Sequence, residues 1–75
     1  MDWRVYPNPT SNFLQIELKN ETDDFVFELF NHTGQLLLRT KKNKIDVSTF
    51  SKGMYYLKII NTEKLESSCK KWLKH

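Results

Sequence analysis

The run Met54-Tyr55-Tyr56-Leu57-Lys58-Ile59-Ile60 constrains the fold more than any other stretch of the chain. Side chains alternate between the two faces of an extended strand. Tyr55, Leu57 and Ile59 therefore share one face, and Met54, Tyr56, Lys58 and Ile60 share the other. A wholly apolar face backed by a mixed one is the pattern of a strand laid on a core. Gly53, just before it, permits a reversal of the backbone. Gly53, Gly34 and Tyr55 are read as holding the fold.

The same period recurs along the chain. Trp3 to Tyr6 forms a short first strand. Pro7 and Pro9 end it, because neither can donate to a ladder, and each biases the residue before it, Tyr6 or Asn8, toward extended geometry. Thr10, Ser11 and Asn12 suit a turn. In Phe13 to Leu18, Leu14, Ile16 and Leu18 alternate with Gln15 and Glu17. Lys19 to Asp24 is a polar loop. Phe25 to Phe30 points Phe25, Phe27 and Leu29 inward and Glu28 outward. Asn31-His32-Thr33-Gly34 turns the chain into Gln35 to Thr40, a hairpin partner. The three leucines Leu36, Leu37 and Leu38 call for cover on both faces or for an interface. Ile45 to Val47 is a short fifth strand, and Phe50 tucks into the core at the corner that follows. Asn61 to Lys64 turns into a last strand over Leu65 to Leu73. A helix there is the minority reading, since Ser67, Ser68 and Cys69 are poor mid-helix residues. About seven short strands with turns at regular spacing predict an all-β, immunoglobulin-like antiparallel β-sandwich.

Seventy-five residues make a single domain. A chain this short buries only about 60% of its unfolded surface. An aromatic content of 13% supplies a core without disulfides or metal. Cys69 is the only cysteine, so an internal disulfide is excluded. The formal charge of +3 is mild and does not call for a nucleic-acid partner. No apolar run approaches the ~20 residues of a membrane span. Met1-Asp2-Trp3-Arg4 lacks the basic and apolar regions of a signal peptide. The expectation is a cytoplasmic chain or one piece of a longer protein.

Four places together resemble the C-terminal sorting domain of the type IX (Por) secretion system. Val5-Tyr6-Pro7-Asn8-Pro9-Thr10 is similar to the family's opening. Phe27-Glu28-Leu29-Phe30-Asn31-His32-Thr33-Gly34 resembles its hairpin. Ile45-Asp46-Val47-Ser48 with Phe50, followed by Gly53-Met54-Tyr55-Tyr56-Leu57-Lys58-Ile59, is similar to its central element. Lys70-Lys71-Trp72-Leu73-Lys74 resembles its terminal motif of lysines and apolar residues. Trp72, where aliphatic residues are usual, and the terminal His75 depart from the pattern. The resemblance implies one non-catalytic domain over 1–75, with its core at 3–74, excised from a longer secreted protein. Such domains follow a cargo domain that carries a signal peptide. They pass through the periplasm to the cell surface or beyond, are recognised by the outer-membrane translocon and its shuttle proteins, and are cleaved by a surface sortase. Lys70, Lys71, Trp72, Leu73 and Lys74 would carry the sorting signal. Tyr6, Pro7, Asn8 and Pro9 would mark where the domain begins. No cofactor and no membrane insertion are implied.

Other chemistry is thinly supported. Cys69 with His32 or His75 as a base has nothing in the sequence to bring the groups together. The same residues lack the spacing of a zinc site. Asp23, Asp24 and Asp46 lack that of a calcium loop. The sequons at Asn20 and Asn31 fall in turns, where Asn and Thr are expected anyway. Arg39, Lys41, Lys42 and Lys44 form a basic patch that reads as edge protection. Met54, Tyr56 and Ile60 form an outward apolar stripe suited to a partner or a weak homodimer, or covered by Trp72. The rival function is an adhesive or carbohydrate-binding β-sandwich, with Trp3, Tyr56 or Trp72 as an exposed platform.

Overall fold

A computed structural model describes residues 2–19 and 24–75. Among these residues seven strands run in chain order as β1 (Trp3–Tyr6), β2 (Phe13–Leu18), β3 (Phe25–Asn31), β4 (Leu36–Thr40), β5 (Lys44–Asp46), β6 (Gly53–Asn61) and β7 (Glu66–Lys74). They form two antiparallel sheets, a three-stranded one in the order β1-β2-β5 and a four-stranded one in the order β4-β3-β6-β7. The chain changes sheet between β2 and β3, between β4 and β5, and between β5 and β6. The all-β sandwich read from the sequence is the observed fold, and the C-terminal segment is a strand.

The core lies between the inner faces of the two sheets. Leu14 and Ile16 of β2 meet Phe25, Phe27 and Leu29 of β3 and Tyr55, Leu57 and Ile59 of β6, all buried. Period-two alternation predicted each of these positions. Trp3, Ile45, Val47 and Trp72 complete the cluster, and Phe50 packs against it from the corner before β6. Near the start of β6, the Tyr55 hydroxyl donates to the Ser51 carbonyl at 2.6 Å. This is the tyrosine corner of immunoglobulin-like sandwiches, which ties the entering loop to the strand.

Polar side chains build the turns. Asn31 Oδ1 accepts from the backbone N–H of Thr33 at 3.1 Å and of Gln35 at 2.9 Å. Gly34 completes that turn at φ +88°, a region open mainly to glycine. Buried Asn61 plays the same part between β6 and β7, accepting from the N–H groups of Glu63 and Lys64 at 3.0 Å. Asp46 Oδ1 accepts from Ser48 N–H at 2.9 Å. The bonds from Ser48 hold the Asp46 carboxyl below its ordinary pKa.

Two readings are narrowed. Of the two alternatives for the leucine run, cover on both faces is excluded and an interface is left. The β3–β4 register slips at Leu29/Phe30, so that Leu38 faces Leu29 and Leu36 faces Phe30, leaving Leu37 as the extra residue of a bulge. Leu38 packs on the core, while Leu36 and Leu37 stand 49% and 41% exposed. The entry after Tyr6 is not a simple extended segment either. The Tyr6–Pro7 and Asn8–Pro9 peptides are both cis, and the chain bends before Thr10. Asn20 and Asp23 lie outside the described residues.

Candidate functional site

The C-terminal strand is the centre of the candidate site. β7 pairs along its whole length with β6, from Gly53↔Lys74 to Asn61↔Glu66. This register sorts the tail side chains between two faces. Trp72 stands opposite Tyr55 and therefore points into the core, where it is fully buried. Its ring stacks on Tyr55 at 4.9 Å between centroids and lies 6.2 Å from Phe50. Its indole N–H is buried with no hydrogen-bond partner among the described residues. Lys70 shares that face, and its ammonium lies 5.2 Å above the Trp3 ring, a cation–π contact that covers the flank of the sandwich. Lys71 and Leu73 take the opposite, outer face, beside Tyr56 and Met54. Lys71 is exposed, and Leu73 is 46% exposed. Half-buried Lys74 donates to the carbonyl of His75 at 3.2 Å.

The end of the strand is also held from its other side. Asn8 Oδ1 accepts from Leu73 N–H at 2.9 Å. Thr10 N–H donates to the Leu73 carbonyl at 2.9 Å, and His75 N–H donates to the Thr10 carbonyl at 2.8 Å. Thr10 is itself buried, its hydroxyl donating to the Phe13 carbonyl. It forms a parallel bridge with Lys74. The proline-flanked opening and the tail are thus one clasp joining the two sheets. Backbone groups alternate between the two sides of a strand. With Leu73 and His75 turned to the clasp, those of Ser67, Cys69 and Lys71 face the open edge of β7.

The residues singled out in the sequence are therefore divided. Lys71 and Leu73 stand on the outer face, Lys70 is exposed on the flank beside Trp3, Lys74 is half-buried, and Trp72 lies in the core. The expectation that Trp3 and Trp72 are exposed platforms is overturned, for both are core residues at 5% and 0% exposure. Trp72 does not cover Met54, Tyr56 and Ile60, which lie on the other face of the sheet. Sequence reasoning treated Asn8 as a boundary marker and Thr10 as a turn residue. Neither carries a local cue to a partner more than sixty residues away.

The other candidates stay dispersed. Cys69 is exposed in mid-β7, whereas His32 sits in the turn after β3, with β6 between those strands. Among the described residues, no three His, Cys, Asp or Glu side chains cluster as a metal site would require. Arg39 lies on edge strand β4 and is paired with Glu28 at 3.6 Å. Lys44, on edge strand β5, lies 4.6 Å over the Phe13 ring. Both positions fit the protection of sheet edges. An open cleft at the end of the sandwich is lined by Leu18, Phe25 and Phe27 with Lys41, Lys42 and Lys44. No helix is long and apolar enough to cross a membrane among the described residues.

Comparison with known proteins adds one finding. A family model described as the secretion system C-terminal sorting domain matches residues 4–75, nearly the whole chain. No curated protein matches it.

Proposed function

The chain belongs to the secretion system C-terminal sorting domain family, and from that premise we propose that it is a folded, non-catalytic address for export by the type IX route. Members of the family direct secretion to the cell surface or the extracellular space. In the finer reading, residues 1–75 are one domain cut from the end of a longer secreted protein. Its cargo lies upstream and carries the signal peptide. The outer-membrane translocon and its shuttle proteins recognise the folded domain, and a surface sortase cleaves at or before Trp3.

The family match over residues 4–75 is the observation that carries this reading. The geometry of the tail fits it. A terminal strand pinned by Asn8 and Thr10 is a rigid element that a receptor can meet without first ordering it, which lowers the entropic cost of binding. Lys71 and Leu73 are offered on the outer face of the sheet, and Lys70 is exposed on its flank.

The test is a reporter carrying a Sec signal peptide, fused ahead of residues 1–75 in a host with a type IX system. The intact fusion is expected at the cell surface or in the medium. Retention in the periplasm, at the level of the reporter without the domain, rejects the sorting function. Deleting the tail is a poor control, because it removes Trp72 from the core. Lys71→Glu is the cleaner variant, and undiminished export of it rejects a role for that lysine.

A further inference from the structure

The outer face of the four-stranded sheet carries an apolar patch that only the strand registers bring together. Leu36 of β4 stands opposite Phe30 of β3, Phe30 opposite Tyr56 of β6, and Tyr56 opposite Lys71 of β7. In the next row, Met54 stands opposite Leu73. Directly opposed side chains in antiparallel strands lie about 5 Å apart, and diagonal neighbours are still within reach of long side chains. Leu36, Phe30, Tyr56, Met54 and Leu73 therefore form one continuous surface that crosses every strand of the sheet. Leu36 and Leu73, at its two ends, are about half exposed. A contiguous apolar surface of this kind marks a contact site, whereas scattered apolar residues do not.

Charge surrounds this patch unevenly. The row beyond it reads Arg39, Glu28, Lys58 and Cys69. Glu28 is already paired with Arg39 at 3.6 Å. Lys58 faces Glu28 across the β3–β6 pair without closing an ion pair to it, and Lys71 has no carboxylate partner among the described residues. Across these rows, three cations stand against one anion.

We infer that this face is the docking surface for a protein partner that presents an apolar ridge bordered by carboxylates. The inference rests on the sorting reading and assigns the surface by which the domain is gripped. The apolar patch supplies the contact area. Lys71 and Lys58 select the partner by charge and steer its approach. A second copy of this chain is the poorer occupant, because pairing the face with itself brings two net-positive rims together. The tail takes part through Lys71 and Leu73 alone, so the recognised element is discontinuous in sequence.

The experiment uses the same reporter with four variants, each also purified as the 75-residue chain for thermal melting and sedimentation. Leu36→Asp and Lys71→Glu alter exposed positions of the patch and its rim. Leu36→Lys breaks the same apolar contact with the opposite charge. Arg4→Glu matches Lys71→Glu in charge change but lies on β1, in the other sheet. Export is expected to fall about tenfold or more for Leu36→Asp and Lys71→Glu, a scale set by the loss of one good contact. Leu36→Lys should fall less, and Arg4→Glu should match the intact chain. Melting midpoints should stay close to that of the intact chain for the two Leu36 variants and Lys71→Glu, whereas Arg4→Glu sets a carboxylate against Glu17, its partner at 3.2 Å across the β1–β2 pair, and should melt slightly lower.

Full export of Leu36→Asp and Lys71→Glu overturns the surface and leaves the sorting function standing. An equal loss in Arg4→Glu also overturns it, since net charge would then be the cause. Leu36→Lys exported no better than Leu36→Asp rejects the acidic border. A dimer of the intact chain that Leu36→Asp dissolves assigns the face to a second copy instead. An intact fusion held in the periplasm removes the sorting reading, and this surface falls with it.

Discussion

The two faces of the β6–β7 pair are made by the same eighteen residues and could hardly differ more. On the inner face stand Tyr55, Leu57, Ile59 and Trp72, buried and locked to one another. On the outer face stand Met54, Tyr56, Lys58, Lys71 and Leu73, half-buried or exposed. Neighbours in sequence thus have different tasks. Trp72 supports the sandwich, while Lys71 and Leu73 on either side of it are presented to solvent. A terminal motif read as one linear signal is therefore two elements interleaved at a period of two. Substituting its residues one at a time separates a fold defect from a recognition defect.

Trp72→Ala tests the contrast most severely. Removing a buried Trp typically costs about 3–5 kcal/mol through lost transfer energy and the cavity left behind. A domain of this length holds only about 4–11 kcal/mol in all. The expected result is a chain partly unfolded at room temperature, seen by circular dichroism and by a large fall in the denaturant midpoint. Lys71→Glu, one position away, should shift stability by no more than about 0.5 kcal/mol. Equal losses in the two variants would break the contrast between the faces.

How much of this division was legible beforehand depends on the strand. In β6 the alternation of Tyr55, Leu57 and Ile59 with Met54, Tyr56 and Lys58 assigns both faces directly. In β7 the run Glu66-Ser67-Ser68-Cys69-Lys70-Lys71 has no apolar alternation. Only pairing with β6 decides that Trp72 faces Tyr55. Trp72 could therefore be read from the sequence as an exposed platform or as a cover for the outer stripe, and it is neither. The three leucines of β4 were ambiguous for a related reason, because the bulge that gives Leu37 its place depends on the register with β3. The patch from Leu36 to Leu73 draws on four strands, and no local pattern announces it.

The clasp is a second place where the faces can be told apart, with a smaller expected effect. Asn8→Ala removes the acceptor of Leu73 N–H, a bond between residues 65 positions apart. The site is exposed, so water can take over the freed donor, and the expected loss is that of one net hydrogen bond, about 0.5–1.5 kcal/mol. Amide exchange gives the sharper readout. Leu73 and His75 should lose protection, while Leu57 and Ile59, deep in β6, keep theirs. Uniform loss along β6 and β7 would show that the clasp supports the whole sandwich and does more than fix the end of the tail.

Trp72→Phe sharpens the contrast from within the core and should have the smallest effect. The indole N–H is buried without a hydrogen-bond partner among the described residues, a burden of about 1–3 kcal/mol for a polar group withdrawn from water. Phenylalanine removes that donor but keeps a ring to stack on Tyr55 and Phe50. The loss of apolar area and the relief of the orphaned donor oppose each other. The net change in unfolding free energy should be within about 1 kcal/mol of zero, far from the value for Trp72→Ala. Export of the variant should match that of the intact chain, because nothing on the outer face has changed. A stable Trp72→Phe chain that is no longer exported would mean that the partner reads the indole itself. The inner face would then have to open during recognition, and the division of labour between the two faces would fail.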